Sequence, residues 1–191
     1  GDSHAMALHS VLGNMAKKQG AAGLLAPTGG CPPLLNIVRR DPAAQDCAGI
    51  NQNIFEFIIA EKSIKNVILI GRWAIYTEGT SYKDQPTNRF NPAYYIVENK
   101  SIPESKSMPE NVAVAFDQTV SALLAAKKSI WIVGPVPEVE VNIPKALYLQ
   151  SLGIGRGHKI EPTREDFDRR QAHVIPILEA VAQKYPVHVA W

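Results

Sequence analysis

The chain has 191 residues, a formal net charge of +2, 46% hydrophobic residues and 20% charged ones. That is enough for one domain with a sizeable core, at an ordinary globular composition. A near-neutral charge without a basic, aromatic-interleaved stripe excludes a nucleic-acid binder, and no run reaches transmembrane length.

The opening run Gly1-Asp2-Ser3-His4 leads into Ala5-Met6-Ala7-Leu8, a good helix opening. This predicts a strand-to-helix corner with a hydroxyl at the helix start. Free N–H groups there stabilise negative charge near Ser3, which suits a serine nucleophile in acyl transfer. A plain N-cap serine, or a vector-derived leader, would give the same four residues. A sequence that starts on a motif is expected to be a piece of something longer.

The helix is expected from about Ala5 to Gln19, closed by Gly20. Ala21–Ala26 reads as a short buried strand. Pro27–Gly49 reads as a loop region holding Gly29-Gly30-Cys31-Pro32-Pro33. Asn51–Glu61 predicts a helix with Ile54, Phe55, Ile58 and Ile59 on one face. Asn66–Gly71 carries Val67-Ile68-Leu69-Ile70, a continuous apolar strand expected to be parallel and covered on both faces. Thr77–Pro109 is polar, with Pro86, Pro92 and Pro103, and is too long for a tight connection. Asn111–Ala126 predicts a second amphipathic helix, and Ser129–Gly134 another buried strand with Ile130-Trp131-Ile132-Val133. Pro135–Thr163 is a second long excursion. Arg164–Tyr185 reads as a helix kinked at Pro176, and Val187–Trp191 as a last strand.

Strands alternating with helices, without internal repeats, give an α/β layered fold. Val67–Ile70 and Ile130–Val133 should be neighbours in one parallel sheet with helices on both faces. The site of such a sheet lies beyond the carboxyl ends of its strands. Four segments reach that edge: Gly1–His4, Thr28–Cys31, Gly71–Trp73 and Gly134–Glu138.

The motifs come in a specific order. Gly-Asp-Ser-His-Ala-x-Ala-Leu is followed by Gly-Cys-Pro-Pro-Leu-Leu, then by a strand ending Arg72-Trp73-Ala74-x-Tyr76-x-Glu78-Gly79, then by Trp131-Ile132-Val133-Gly134-Pro135-Val136-Pro137-Glu138. Together they resemble the SGNH-hydrolase-like domain fused behind membrane-embedded type-three acyltransferases of bacterial envelopes. The resemblance runs over nearly the whole chain and implies a three-layer αβα fold with a parallel, flavodoxin-like sheet. It implies one SGNH-like domain over residues 1–191, truncated at both ends: the first strand and an Asp-x-x-His segment are not in the chain. The implied function is transfer of acetyl groups onto surface glycans, O-antigen or other polysaccharide, at the periplasmic face of the inner membrane. The partners implied are an acetylated donor, a glycan acceptor and a transmembrane acyltransferase domain. No cofactor is implied in this domain; acetyl-CoA would be handled by the membrane domain. A free-standing SGNH esterase and a non-catalytic glycan-binding module remain as alternatives.

The resemblance makes Ser3 the nucleophile, its own N–H one oxyanion donor and the Gly30 N–H a second. Glycine suits a backbone that approaches substrate closely. The family's usual third donor is an Asn; here Gly71-Arg72-Trp73 stands in its place, and Arg72 offers charge-assisted donation instead. None of the five histidines, His4, His9, His158, His173 and His188, has an Asp three residues before it. His173, on a helix, and His188, in a strand, read as structural. Cys31 and Cys47 are either a disulfide or two free thiols. Closing the fifteen-residue loop between them would contribute about 3 kcal/mol, and the family's periplasmic setting favours the bridge. No Cys or His sits at metal-ligand spacing. Tyr76, Glu78 and Gly79 either contact substrate or shape a loop, and Glu138 lies at the site edge. Trp73 and Trp131 read as core. Gly153-Ile154-Gly155-Arg156-Gly157 lacks the Lys-Ser/Thr pair of a phosphate loop, and Arg164–Arg170 reads as a solvated helix face.

Overall fold

The computed structural model describes residues 1–39, 46–80, 82, 95–97, 107–139, 141–154 and 160–191. Its elements, in order, are α1 (Ser3–Lys18), β1 (Ile37–Arg39), α2 (Cys47–Ala60), β2 (Asn66–Leu69), α3 (Trp73–Glu78) and β3 (Tyr95–Val97). There follow α4 (Met108–Ala125), β4 (Ser129–Val133), α5 (Ile143–Ser151), α6 (Arg164–Arg170), α7 (Val174–Lys184) and β5 (Val187–Ala190). His158, Gly155, Arg156, Gly157, Pro86, Pro92 and Pro103 lie outside the described residues.

The main sheet runs β2-β4-β5, all parallel, with Val67 opposite Ile130 and Ile132 opposite Val189. The expected neighbours are therefore paired in one parallel sheet. Their apolar side chains alternate in burial. Val67, Leu69, Ile130 and Ile132 point into the core with Trp73, Phe116 and Leu178. On the other face Ile68 and Trp131 are each 42% exposed, so β2 is not covered on both faces as expected. Trp131 is not core either: its ring stacks on His188 of β5, centroids 4.3 Å apart.

Capping chemistry sets the helix starts. Ser107 and Glu110 form a reciprocal capping box at α4, with Pro109 in the first turn where its missing N–H costs nothing. Thr163 and Asp166 do the same for α6. The expected Arg164–Tyr185 helix is two helices, broken at Gln171–His173. A proline ring displaces the carbonyl four residues back, so the helix restarts with Pro176 in its first turn. Arg164–Arg170 is not wholly a solvated face, since Arg170 is only 9% exposed.

Three further expectations change. Ala21–Ala26 forms no strand, and Leu24 is 69% exposed. An apolar run becomes a strand only against a partner ladder. Here the segment's backbone is held only at its ends among the described residues, by the Ala21 N–H to the Ala16 carbonyl at 2.9 Å and by the Gly1 amine to the Ala26 carbonyl at 3.0 Å. The Pro27–Gly49 loop region contains β1, which pairs antiparallel with β3. The Pro135–Thr163 excursion contains α5, capped by Asn142 and closed by Gly153 at φ 75°.

The Cys31–Cys47 disulfide is formed, with the Cα atoms 5.4 Å apart and both residues buried. From α2, buried Asn51 donates to the carbonyls of Pro32 and Leu34 in the same loop at 2.7 and 2.9 Å. Bridge and amide together fix the Gly30 loop to the start of α2.

Candidate active site

The corner at Gly1–Ser3 is built from backbone outward. The Asp2 N–H reaches the Ile70 carbonyl just past β2, and the Thr28 N–H reaches the Gly1 carbonyl at 2.8 Å. The corner thus lies at the carboxyl edge of the sheet, between the end of β2 and the loop that carries Gly30. A Cβ on Gly1 would fall 2.4 Å from the Ala5 Cβ and 2.7 Å from the Ile70 oxygen, so only glycine fits this close approach.

Asp2, not Ser3, is the N-cap of α1, and its carboxylate accepts the His4 N–H at 2.8 Å. Ser3 is the first helical residue and is exposed. Its hydroxyl has no hydrogen-bond partner among the described residues. The plain N-cap alternative for Ser3 is therefore set aside by geometry.

Asp2 does much more than cap. It is 1% exposed, and its Oδ2 accepts the Arg72 N–H at 2.7 Å and the Tyr76 hydroxyl at 2.5 Å. His4 Nδ1 sits 3.6 Å from Oδ1. Burial alone pushes the carboxyl upward and is the largest single influence. The His4 ring, the Arg72 N–H, the Tyr76 hydroxyl and the His4 N–H together outweigh it, holding Asp2 below its ordinary value. Asp2 stays charged and ties α1 to α3. The sequence signal for it was present, since an acid directly before a helix start reads as a cap. Its bond to Tyr76 spans 74 residues and leaves no local trace.

Gly30 lies in a turn closed by the Cys31 N–H to the Thr28 carbonyl at 3.1 Å, with φ 72°. That left-handed backbone is the second place where glycine is required. Arg72 is the N-cap of α3. Its guanidinium Nε donates to Glu138, in the loop after β4, and the side chain is 30% exposed. A shallow cleft gathers His4, Gly71, Arg72, Pro135, Glu138 and Gln171. Of the residues proposed from sequence, the structure thus brings Arg72 and the loop of Gly30 to the edge where Ser3 stands.

The remaining candidates separate. Trp73 is buried against Phe116 and donates its indole N–H to the Val133 carbonyl at 2.7 Å. Tyr76 is buried on Asp2, and Gly79, φ 66°, closes α3. Glu78 pairs with His173 Nδ1 at 2.8 Å. His9 is exposed on α1. Among the described residues no group of His, Cys, Asp and Glu is arranged to hold a metal ion. No helix among them is long and apolar enough to cross a membrane.

A three-stranded parallel sheet with helices packed on it, and α1 starting at its carboxyl edge, defines an α/β domain consistent with an SGNH-like fold. The chain matches the family described as the SGNH domain fused to AT3 domains over residues 1–191, and it belongs to that family. No curated protein and no solved structure matches it. Membership associates the domain with acyltransferases and with hydrolase or acyltransferase chemistry. With the disulfide, it fits an extracytoplasmic location.

Proposed function

We propose that this chain is the acyl-transferring domain of an envelope O-acyltransferase. It moves acetyl groups onto bacterial cell-envelope glycans at the periplasmic face of the inner membrane, with Ser3 as nucleophile. One observation carries the reading. In a chain of the AT3-fused SGNH family, Ser3 is the exposed first residue of α1, at a corner locked by buried Asp2.

The Ser3 hydroxyl attacks the acetyl carbonyl carbon and passes its proton to a general base. The bond to the donor breaks as the base gives that proton to the departing group, leaving an acetyl-serine ester. A sugar hydroxyl then attacks that ester and gives its proton to the base, which passes it to the Ser3 oxygen as the ester bond breaks, freeing Ser3 and the acetylated sugar. The oxyanion of each tetrahedral intermediate rests on the Ser3 N–H, the Gly30 N–H and the Arg72 side chain. The Ser3 N–H is one of the orphan donors of a helix start, and the positive end of the helix dipole adds to it.

The test is Ser3→Ala in the full-length protein, read as acetyl content of the envelope glycan and as hydrolysis of an activated acetyl ester. Near-complete loss of both is expected. Transfer at the wild-type rate removes Ser3 as nucleophile. Ester hydrolysis by the wild type without glycan acetylation shifts the reading to an SGNH esterase.

A further inference from the structure

We propose that Glu138 is a positioning residue for this site, holding the Arg72 guanidinium in the cleft that His4, the residue after Ser3, helps to line. The inference rests on the reading of Ser3 and Arg72 given above.

Glu138 has a side chain only 7% exposed. A carboxylate so buried needs charged or hydrogen-bonding partners. It has two. Oε1 accepts Arg72 Nε, and Oε2 accepts Arg170 Nε at 2.5 Å. The two arginines are held differently. Arg170 has a side chain 8% exposed and also donates Nη2 to the Thr80 carbonyl at 2.7 Å. It is anchored at both ends of its fork, and it fixes Glu138 in turn. Arg72 is held by Nε alone, is 30% exposed, and lines the cleft. Its remaining donors find no acceptor among the described residues.

Two guanidiniums around one carboxylate leave a net positive charge. The buried arginine cannot present it; the half-buried Arg72 does. A pair serving stability alone gains little over apolar packing of the same volume. This arrangement has one partner sealed and the other turned to the cleft, which suits preorganised donation to a developing oxyanion. Gln171, the residue after Arg170, lines the same cleft, and its Oε1 has no hydrogen-bond partner among the described residues although the residue is 1% exposed.

The experiment is a double-mutant cycle in the full-length protein: wild type, Arg72→Ala, Glu138→Gln, and the two together. Each is read as kcat and KM for an activated acetyl ester. Glutamine keeps the shape but cannot hold two guanidiniums. Arg72→Ala should lower kcat about 10²–10³-fold, as loss of one oxyanion donor does. Glu138→Gln should lower kcat about 10²-fold with KM nearly unchanged, the scale of a misplaced catalytic group. In the Arg72→Ala background Glu138→Gln should cost nothing more. Equal losses in both backgrounds overturn the proposal, as does a wild-type rate for Glu138→Gln or for Arg72→Ala. If Glu138→Gln melts before assay, Glu138→Asp, which keeps the charge and shortens the reach, is read in the same two backgrounds. Ser3→Ala in the same assay separates the two readings. Activity in Ser3→Ala removes the acyl-transfer reading itself, whereas an inactive Ser3→Ala beside an additive cycle removes only the role of Glu138.

Discussion

Replacing Asp2 by Asn isolates what the buried carboxylate does for the fold. The two side chains have the same shape, and Asn caps helices as well as Asp. Oδ1 can therefore keep the His4 N–H, which it accepts at 2.8 Å. The other position becomes an amide nitrogen and cannot accept. The Arg72 N–H, now 2.7 Å from Oδ2, loses its acceptor. An orphaned buried donor costs about 1–3 kcal/mol. The Tyr76 hydroxyl can turn and accept from the new NH₂. Its bond survives without charge assistance, a loss of about 1 kcal/mol. The expected destabilisation at neutral pH is thus about 2–4 kcal/mol.

The pH dependence has a definite sign. Asp2 is held below its ordinary value of 3.8 when folded, so its stabilisation is complete above that value. It disappears as the pH falls through the lower, folded value. Urea unfolding of wild type and Asp2→Asn should show the full gap at neutral pH and a shrinking gap below about pH 4. A neutral-pH gap under about 1 kcal/mol would mean that Asp2 is not the tie between α1 and α3. A gap that persists undiminished into acid would mean that its charge plays no part.

Two further outcomes concern the scaffold. Replacing Cys31 and Cys47 together by serine should lower unfolding free energy by about 3 kcal/mol in urea, and alkylation of the unreduced protein should label neither thiol. Lys128 is 5% exposed and donates Nζ to the carbonyls of Glu61 and Ile64 at 2.8 and 2.9 Å. Lys128→Met removes the donor to the Ile64 carbonyl, while the Glu61 carbonyl keeps the Ile64 N–H at 3.3 Å; it should cost about 1–3 kcal/mol, seen as a lower urea midpoint with an unchanged slope.

The parallel sheet was legible because its strands carry their signal locally. Val67–Ile70 and Ile130–Val133 are continuous apolar runs between helical stretches, and few arrangements of such a pattern exist. Elements without a local signal were missed. β1 and β3 are three residues each, and their apolar stretches, Ile37-Val38 and Tyr95-Ile96-Val97, are too short to stand out from the loops around them. Ala21–Ala26 had the run but lacks a paired ladder. The break between α6 and α7 was read as a kink because the proline's effect falls on residues before it.

The site divides along the same line. Gly1, Asp2 and Ser3 are adjacent, so all could be seen, yet they have three separate physical jobs. Gly1 lets the chain pass against the Ile70 carbonyl, where a Cβ would not fit. Asp2 turns inward and is consumed by four elements of the fold's own bonding: a cap, an N–H, a hydroxyl and a nearby ring. Only Ser3 faces solvent. Chemistry read from the triplet as a unit would assign an acid to catalysis that is already saturated by its surroundings. The acid that does face the cleft, Glu138, stands 66 residues from Arg72 and 32 from Arg170. No spacing in the sequence marks that meeting. It exists because a parallel sheet delivers the ends of distant strands to one edge, and a buried carboxylate arriving there must recruit whatever cations the neighbouring helices supply.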